Sequence, residues 1–281
     1  MNKSLSKYFP VFLLPTLIAF FISFVIPFVM GVGLSFTEFT TVTDARFVGL
    51  RNYINAFNEN ADFLNAFGFT VKFTLVSVIS VNLLAFVLAL LLTKGLRGTS
   101  FFRTAFFMPN LIGGIVLGYI WQLIINGLLS RMGVDLTFAA KYGFWGLVAL
   151  TNWQMIGYMM IIYVAGLQNI PIELHEVAAS DGAGSLSILR HITLPLVMPS
   201  ITICTFLTLS NSFKMFDQNF ALTAGAPGKE TQMLALDIYN TFYGSVGQEG
   251  VGQAKAVIFF VAVALVAILQ LRITRSKEAE I

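Results

Sequence analysis

Charged residues fall in clusters separated by long apolar runs, and the runs define the elements. The stretches Tyr8 to Thr37, Phe73 to Thr93, Thr104 to Ser130, Tyr142 to Ile172, Ile192 to Phe213 and Ala256 to Leu271 contain no Asp, Glu, Lys or Arg. A helix rising 1.5 Å per residue needs roughly 20 apolar residues to cross a hydrocarbon core of about 30 Å. Six spanning helices are therefore predicted. The sixth stretch has only 16 residues between Lys255 and Arg272, about 24 Å of helix, so it spans only if those two side chains carry their charges out to the interfaces. The first stretch is 30 residues long, well beyond the roughly 7 to 15 of a signal core, and lacks a small-x-small cleavage site, so it reads as a retained span.

Composition agrees with the pattern. Of 281 residues, 57% are hydrophobic and 11% charged, with a mean hydropathy of +0.80, whereas a soluble domain carries about 25% charged residues. The fold class that follows is all-α: a polytopic membrane protein with six transmembrane helices, a single domain over residues 1–281. The net charge of +3 comes from loop residues and not from the basic, aromatic-interleaved patch that a phosphate backbone requires, so no nucleic acid is expected as partner. With the amino terminus inside, the cytosolic side receives Lys3, Lys7, Lys94, Arg97, Arg103, Arg190, Arg272, Arg275 and Lys277. The compact basic loop from Lys94 to Arg103 and the basic tail place both termini in the cytosol. The lone cysteine, Cys204, can form no intrachain disulfide or thiolate zinc site and reads as a small core residue.

Among the polar interruptions, residues 168–191, between spans four and five on the cytosolic side, have the strongest local pattern. Pro171 suits a first helical turn, Glu173 and Glu176 lie near the positive end of the helix dipole, and Gly182 supplies a left-handed stop. Leu174, Val177 and Ala178 share one face, extended by Asp181. The product is a short helix with an apolar knob edged by acid, which packs either on its own bundle or on another chain. Because the loop joins two spans without a flexible linker, force on the knob would reach both.

The segment Glu176-Val-Ala178-x-x-Asp181-Gly182-Ala183, followed by Ile192-Thr-Leu-Pro195 and Pro199, resembles the EAA signature of permease subunits in bacterial binding-protein-dependent ABC importers. Similarity to the carbohydrate branch of that family extends through Phe102-Arg-Thr-Ala-Phe-Phe-Met-Pro109-Asn110 to Trp121, through Ala165-Gly-Leu-Gln-Asn-Ile-Pro171, and through Phe220-Ala-Leu-Thr-Ala-Gly-Ala-Pro227. It implies a type I importer permease fold with a coupling helix that docks in a cleft of a cytosolic ATPase through Glu176, Ala178, Asp181, Gly182 and Ala183. Val177 stands where the family usually has alanine and enters the same coupling surface as added bulk. The resemblance further implies a second permease subunit of a different chain, two nucleotide-binding ATPase subunits that carry ATP and magnesium, an external solute-binding protein, and residence in the bacterial cytoplasmic membrane. Within sugar importers, the Leu222-to-Pro227 segment looks like the first of two non-identical permeases.

The remaining motifs fit a subunit that is not itself an enzyme and binds no cofactor. Gly228-Lys229 is followed by Glu230, and the earlier glycine of a phosphate-binding loop would fall on Thr223, so the cradle for ATP phosphates is missing. A stand-alone secondary transporter or channel is the alternative, but ion coupling generally needs ionisable groups at membrane depth, and the six stretches hold none. A membrane enzyme is weaker still: His175 and His191 both lie in the cytosolic loop, far from any carboxylate pair. Neutral polar residues in spans four and five suit a sugar, whose hydroxyls need hydrogen bonds and whose C–H faces pack on rings; Asn152, Gln154, Tyr158, Asn211 and Ser212 are the expected substrate path. Lys214 and Asp217, at i and i+3, are expected to pair at the external interface, with direct contact to substrate as the alternative. Pro195 and Pro199, one turn apart, each remove a backbone donor; Pro199 marks a hinge, and Pro195 either belongs to the same hinge or ends the loop at the first turn of the span.

Overall fold

The computed structural model describes residues 3–58, 62–95 and 97–278 and divides the chain into two compact units, residues 1–61 with 238–260, and residues 62–237 with 261–281. The side chains of Lys3, Lys7, Arg275 and Lys277 lie outside the described part.

In the first unit, α1 (Lys3–Phe20) continues through a π-helical turn, Phe21–Val25, into α2 (Ile26–Leu34), and Val11–Leu34 forms a 24-residue apolar span with no buried face. Pro27, at the start of α2, has no N–H for the preceding turn, and the wider π turn absorbs the missing bond. The chain then departs from a purely helical reading. A two-residue hairpin, β1 (Thr37–Glu38) against β2 (Arg46–Phe47), pairs Thr37 with Phe47 and Glu38 with Arg46. Its loop is held by Asp44, whose carboxylate accepts the backbone N–H groups of Thr40 at 3.0 Å and Thr41 at 2.9 Å and the Thr40 hydroxyl. The Thr40 hydroxyl bond first, then these N–H groups, lowers the Asp44 carboxyl to about 2. The helix α3 (Arg51–Asn58) is tied down by Asn52, which donates to the carbonyls of Ser35 at 2.9 Å and Thr37 at 2.8 Å.

The second unit begins with α4 (Asp62–Leu92), 31 residues long, which starts eleven residues before the charge-free stretch at Phe73. Lys72 does not stop it, because its Nζ sits 4.9 Å above the Phe144 ring. After α4 come α5 (Thr99–Phe107), a 3₁₀ turn Met108–Leu111, α6 (Gly114–Leu129) and a second 3₁₀ turn, Ser130–Met132. The predicted third span, Thr104 to Ser130, is thus broken at Pro109, and its membrane-length part is Gly114–Met132, 19 residues. Missing its N–H, Pro109 tightens the turn, and Ile112 leaves it extended at φ −84° and ψ 130°.

Next is α7 (Ala140–Gln168), the central helix of this unit, with 61% of its apolar window buried. It packs along α4 and carries two cores. One gathers Met159, Met160, Tyr163 and Val164 with Val81, Ala85, Ala89 and Cys204; the other gathers Leu147 and Leu150 with Phe73, Leu117, Leu136 and Met233. Cys204 is the small core residue expected, fully buried with Sγ 3.7 Å from the Met159 carbonyl. Gly157 lets α5 cross α7 at backbone contact: a Cβ there would lie 1.8 Å from the Phe106 carbonyl oxygen.

The loop after α7 forms α8 (Ile172–Ser180), α9 (Ser185–Ile188), a π turn Leu189–Thr193 and α10 (Leu194–Leu196), followed by α11 (Met198–Phe213), α12 (Asp217–Leu222), α13 (Leu234–Gly244) and α14 (Glu249–Glu278). The predicted fifth span, Ile192 to Phe213, is bent: Ser185–Leu196 meets Met198–Phe213 at 69°. Five described helices are long and apolar enough to cross a membrane, and the bent pair, counted as one span, brings the number to six. The sixth predicted stretch is also corrected, because α14 is 30 residues long and runs through Lys255. Lys255 is 7% exposed and its Nζ donates to Thr241 Oγ1 at 2.8 Å, so it is accommodated by a polar partner and does not snorkel.

Candidate functional site: a lever helix and a polar cavity

Three residues, Asn169 to Pro171, separate α7 from α8. Pro171 occupies the cap position, one residue before the first turn it was expected to enter. The far end of α8 closes as a Schellman motif. Asp181 is the C-cap, Gly182 follows at φ +82°, its N–H reaches the Ala179 carbonyl at 3.1 Å, and the Ala183 N–H reaches the Ala178 carbonyl at 2.9 Å. A β-carbon at a positive φ is strained, so this turn depends on glycine. The helix presents Glu176, Val177, Asp181 and Gly182 to solvent, with Val177 60% exposed, while Ala178 and Ala183 are half-buried. Ile172, Leu174 and Leu186 are exposed beside them, so the apolar knob is uncovered within this chain. His175 approaches Thr193 Oγ1 at 3.4 Å, which links α8 to the arm that follows.

That arm leads into α11 through the 69° bend. The break falls on Val197, buried at φ −91° and ψ 0°, between the two prolines. Pro195 follows the π turn and has no N–H for the His191 carbonyl, and Pro199, in the first turn of α11, has none for the Pro195 carbonyl. The hinge pair therefore flanks the bend, and the residue that adopts the broken conformation is one whose side chain gives no sign of it.

At the other end of α11 lies a cavity of about 340 Å³ whose polar wall is Asn110, Gln154, Asn211, Lys214, Asp217 and Gln218, with Met155 and Phe216 as apolar ground. Four segments build it. Gln154 is midway along α7, about 21 Å from its start at 1.5 Å per residue. Its Oε1 accepts from Gln218 Nε2 at 2.8 Å, and its Nε2 donates to the Ile112 carbonyl at 3.3 Å. The break in the predicted third span thus frees a carbonyl to orient Gln154 and brings Asn110 to the wall. Helix α12 is drawn onto α6 by two glycines one turn apart: a Cβ on Gly114 would lie 2.6 Å from Asp217 Cβ, and one on Gly118 2.7 Å from Ala221 Cβ. Behind it, Asn219 fixes the following loop, donating to Thr231 O at 2.8 Å and accepting from the Met233 N–H at 3.0 Å.

Of the five residues expected along a substrate path, Gln154 and Asn211 reach this cavity. Asn152 is buried between helices, its Nδ2 donating to Ser80 Oγ at 2.9 Å and Val148 O at 2.8 Å. Tyr158 is half-buried with its ring 6.4 Å from Phe107, and Ser212 is fully buried. Lys214 and Asp217 do not pair: α11 ends at Phe213, so the i, i+3 geometry never forms, and both side chains open onto the cavity instead. Sequence reasoning missed Asn110, whose signal was the proline before it in an otherwise apolar run, and Gln218, which carried none.

Residues 88–278 match the family described as binding-protein-dependent transport system inner membrane component. The chain is 42% identical over 278 residues to the probable starch degradation products transport system permease protein AmyD of Thermoanaerobacterium thermosulfurigenes, covering 96% of this chain and 94% of that one. It is 32% identical to the multiple sugar-binding transport system permease protein MsmF of Streptococcus mutans, covering 99% of each. Among solved structures, a bacterial ABC transporter involved in the import of the acidic polysaccharide alginate shares the fold at a TM-score of 0.81 and 19% identity, over 98% of each chain. With the family model and two full-length relatives in agreement, this chain belongs to the binding-protein-dependent transport system inner membrane components, the permeases of ABC importers.

Proposed function

We propose that this permease moves a sugar or oligosaccharide through the cytoplasmic membrane by alternating access, with both termini in the cytosol. It pairs with a second permease subunit, receives solute from an external binding protein, and is driven by two ATPase subunits that hold ATP and magnesium; this chain carries out no hydrolysis itself. The relatives named for starch degradation products and for multiple sugars support the substrate class.

One observation carries the mechanism. The exposed lever α8 is joined on one side to α7 by three residues and on the other to α11 by the helical arm Ser185–Leu196, and the same two helices contribute Gln154 and Asn211 to the cavity. A push on α8 therefore moves both walls. Closure of the ATPase dimer would displace α8, tilt α7 and α11 about the Val197 bend, and change the opening of the cavity. Residues Glu176, Val177, Ala178, Asp181, Gly182 and Ala183 form the coupling surface. Val177 adds bulk where alanine is usual, which fits an ATPase cleft adapted to it.

The test is Gly182→Val in the assembled importer. A β-branched residue at φ +82° unwinds the Schellman turn, so the complex should still reach the membrane while uptake falls and ATP hydrolysis no longer responds to the loaded binding protein. Uptake at the parent rate would overturn the lever reading.

A further inference from the structure

We infer that Lys214 and Asp217 form a charge filter: together they hold the cavity at zero net charge, so that it favours neutral polyhydroxylated solutes and offers anionic saccharides such as uronates and sugar phosphates no net attraction. The inference deepens the proposed sugar path and rests on it.

Lys214 and Asp217 are the only charged residues on the cavity wall, and they are of opposite sign. They stand at the junction where α11 stops and α12 begins, with Met215 buried and Phe216 half-buried between them. Among the described residues neither takes part in an ion pair; the bridge that does form nearby in the chain joins Lys229 to Asp62 at 2.7 Å. Both charges therefore face whatever enters. A sphere of about 340 Å³ is only about 9 Å across, close to the roughly 8 Å over which physiological salt screens a charge. A solute in the cavity feels both groups.

The chemistry favours a neutral polyol. A carboxylate only accepts hydrogen bonds, so the two hydroxyls of a vicinal diol can each donate to one Asp217 oxygen, while the Lys214 ammonium donates to hydroxyl or ring oxygens. The amides of Asn110, Gln154, Asn211 and Gln218 donate and accept, and add further partners for sugar hydroxyls to the wall. An anionic saccharide gains Lys214 but brings its own charge within reach of Asp217, and at these distances attraction and repulsion nearly cancel. It also leaves Asp217 competing for hydroxyls beside a like charge. Removing Asp217 would tip the balance toward anions. The fold does not decide this, since a transporter of the same fold imports the acidic polysaccharide alginate; the side chains on the wall do.

The test measures the cavity's field in the whole importer assembly. Asn211→Cys places a reporter thiol on the wall, and Cys204 does not compete because it is fully buried. Small neutral, anionic and cationic methanethiosulfonate reagents are reacted with the membranes, and each rate is divided by its rate on a free thiol; Val246→Cys, in the loop between α13 and α14 and 92% exposed, is the accessibility control. With Lys214 and Asp217 in place, the anionic-to-cationic ratio should be near one. Adding Asp217→Asn should raise it roughly tenfold, adding Lys214→Gln should lower it by a similar factor, and the double replacement should restore it. Galacturonate should slow labelling by the neutral reagent in the Asp217→Asn background and not in its parent. A ratio unmoved by either single replacement overturns the filter and leaves the sugar path standing. A position-211 thiol that no reagent reaches, while the Val246→Cys control reacts, overturns both.

Discussion

Gly157→Ala perturbs the contact that positions one wall of the cavity. The added Cβ would lie 1.8 Å from the Phe106 carbonyl oxygen, 2.2 Å from its carbon and 2.7 Å from the Phe107 nitrogen, all backbone atoms that no rotamer change can move. Restoring an ordinary contact requires α5 to retreat from α7 by more than an ångström. Overpacking of a core usually costs about 1 to 3 kcal/mol, and a backbone obstacle belongs at the upper end, so a loss of about 3 kcal/mol is expected. The helix that retreats leads directly into Met108–Leu111, so Asn110 leaves the cavity wall as α5 moves. Uptake should fall together with stability. Gly127→Ala is the matched control: it also lies in a helix, its Cβ meets nothing within 4 Å, and it should be neutral or stabilising by up to about 1 kcal/mol through helix propensity. Thermal inactivation of the detergent-solubilised importer and uptake in vesicles read the two effects. If Gly157→Ala were as stable and as active as Gly127→Ala, the backbone crossing of α5 over α7, and the account of how the wall is held, would be wrong.

Two further outcomes are expected. Pro199→Ala restores an N–H that can reach the Pro195 carbonyl, so the 69° bend at Val197 should open toward a straighter helix and the lever should lose its hold on the cavity; spin-label distances between α8 and α11 would increase, and unchanged distances would clear the proline of that role. The Asp44 carboxyl, held at about 2 against an ordinary 3.8, stabilises its loop above about 3.8 and loses that contribution as the pH falls through about 2. Pepsin should therefore cut Asp44→Ala beside Phe39 and Phe47 faster than the parent at pH values near 4, and the difference should vanish below about 2; a constant ratio across that range would show that Asp44 does not hold the loop.

The elements legible in the sequence and those that were not differ for a physical reason. A charge-free run reports the cost of exposing apolar surface or of burying ions, and where that cost alone determines a helix, as in Val11–Leu34 and Ala140–Gln168, the prediction lands within a few residues. The Gly182 turn was equally legible, because a left-handed residue at a helix end is a local requirement of the backbone. Apolarity, however, does not report helix continuity. Thr104 to Ser130 is uniformly uncharged and still breaks at Pro109, and Ile192 to Phe213 still bends at Val197. Conversely, Lys72 and Lys255 halted the predicted helices but not the real ones, because an aromatic face and a threonine hydroxyl receive them. Three of the misreadings converge: Pro109 delivers Asn110 to the cavity, the end of α11 at Phe213 turns Lys214 and Asp217 onto its wall, and Val197 sets the angle between that helix and the lever. The cavity draws Gln154 and Asn211 from regular helix, but the carbonyl of Ile112 that orients Gln154 and the side chains of Asn110 and Lys214 come from segments that leave it, which an unbroken apolar helix could not supply. Three places where the charge-free pattern fails, at Pro109, Val197 and Phe213, are therefore the ones that shape this cavity and join it to the lever.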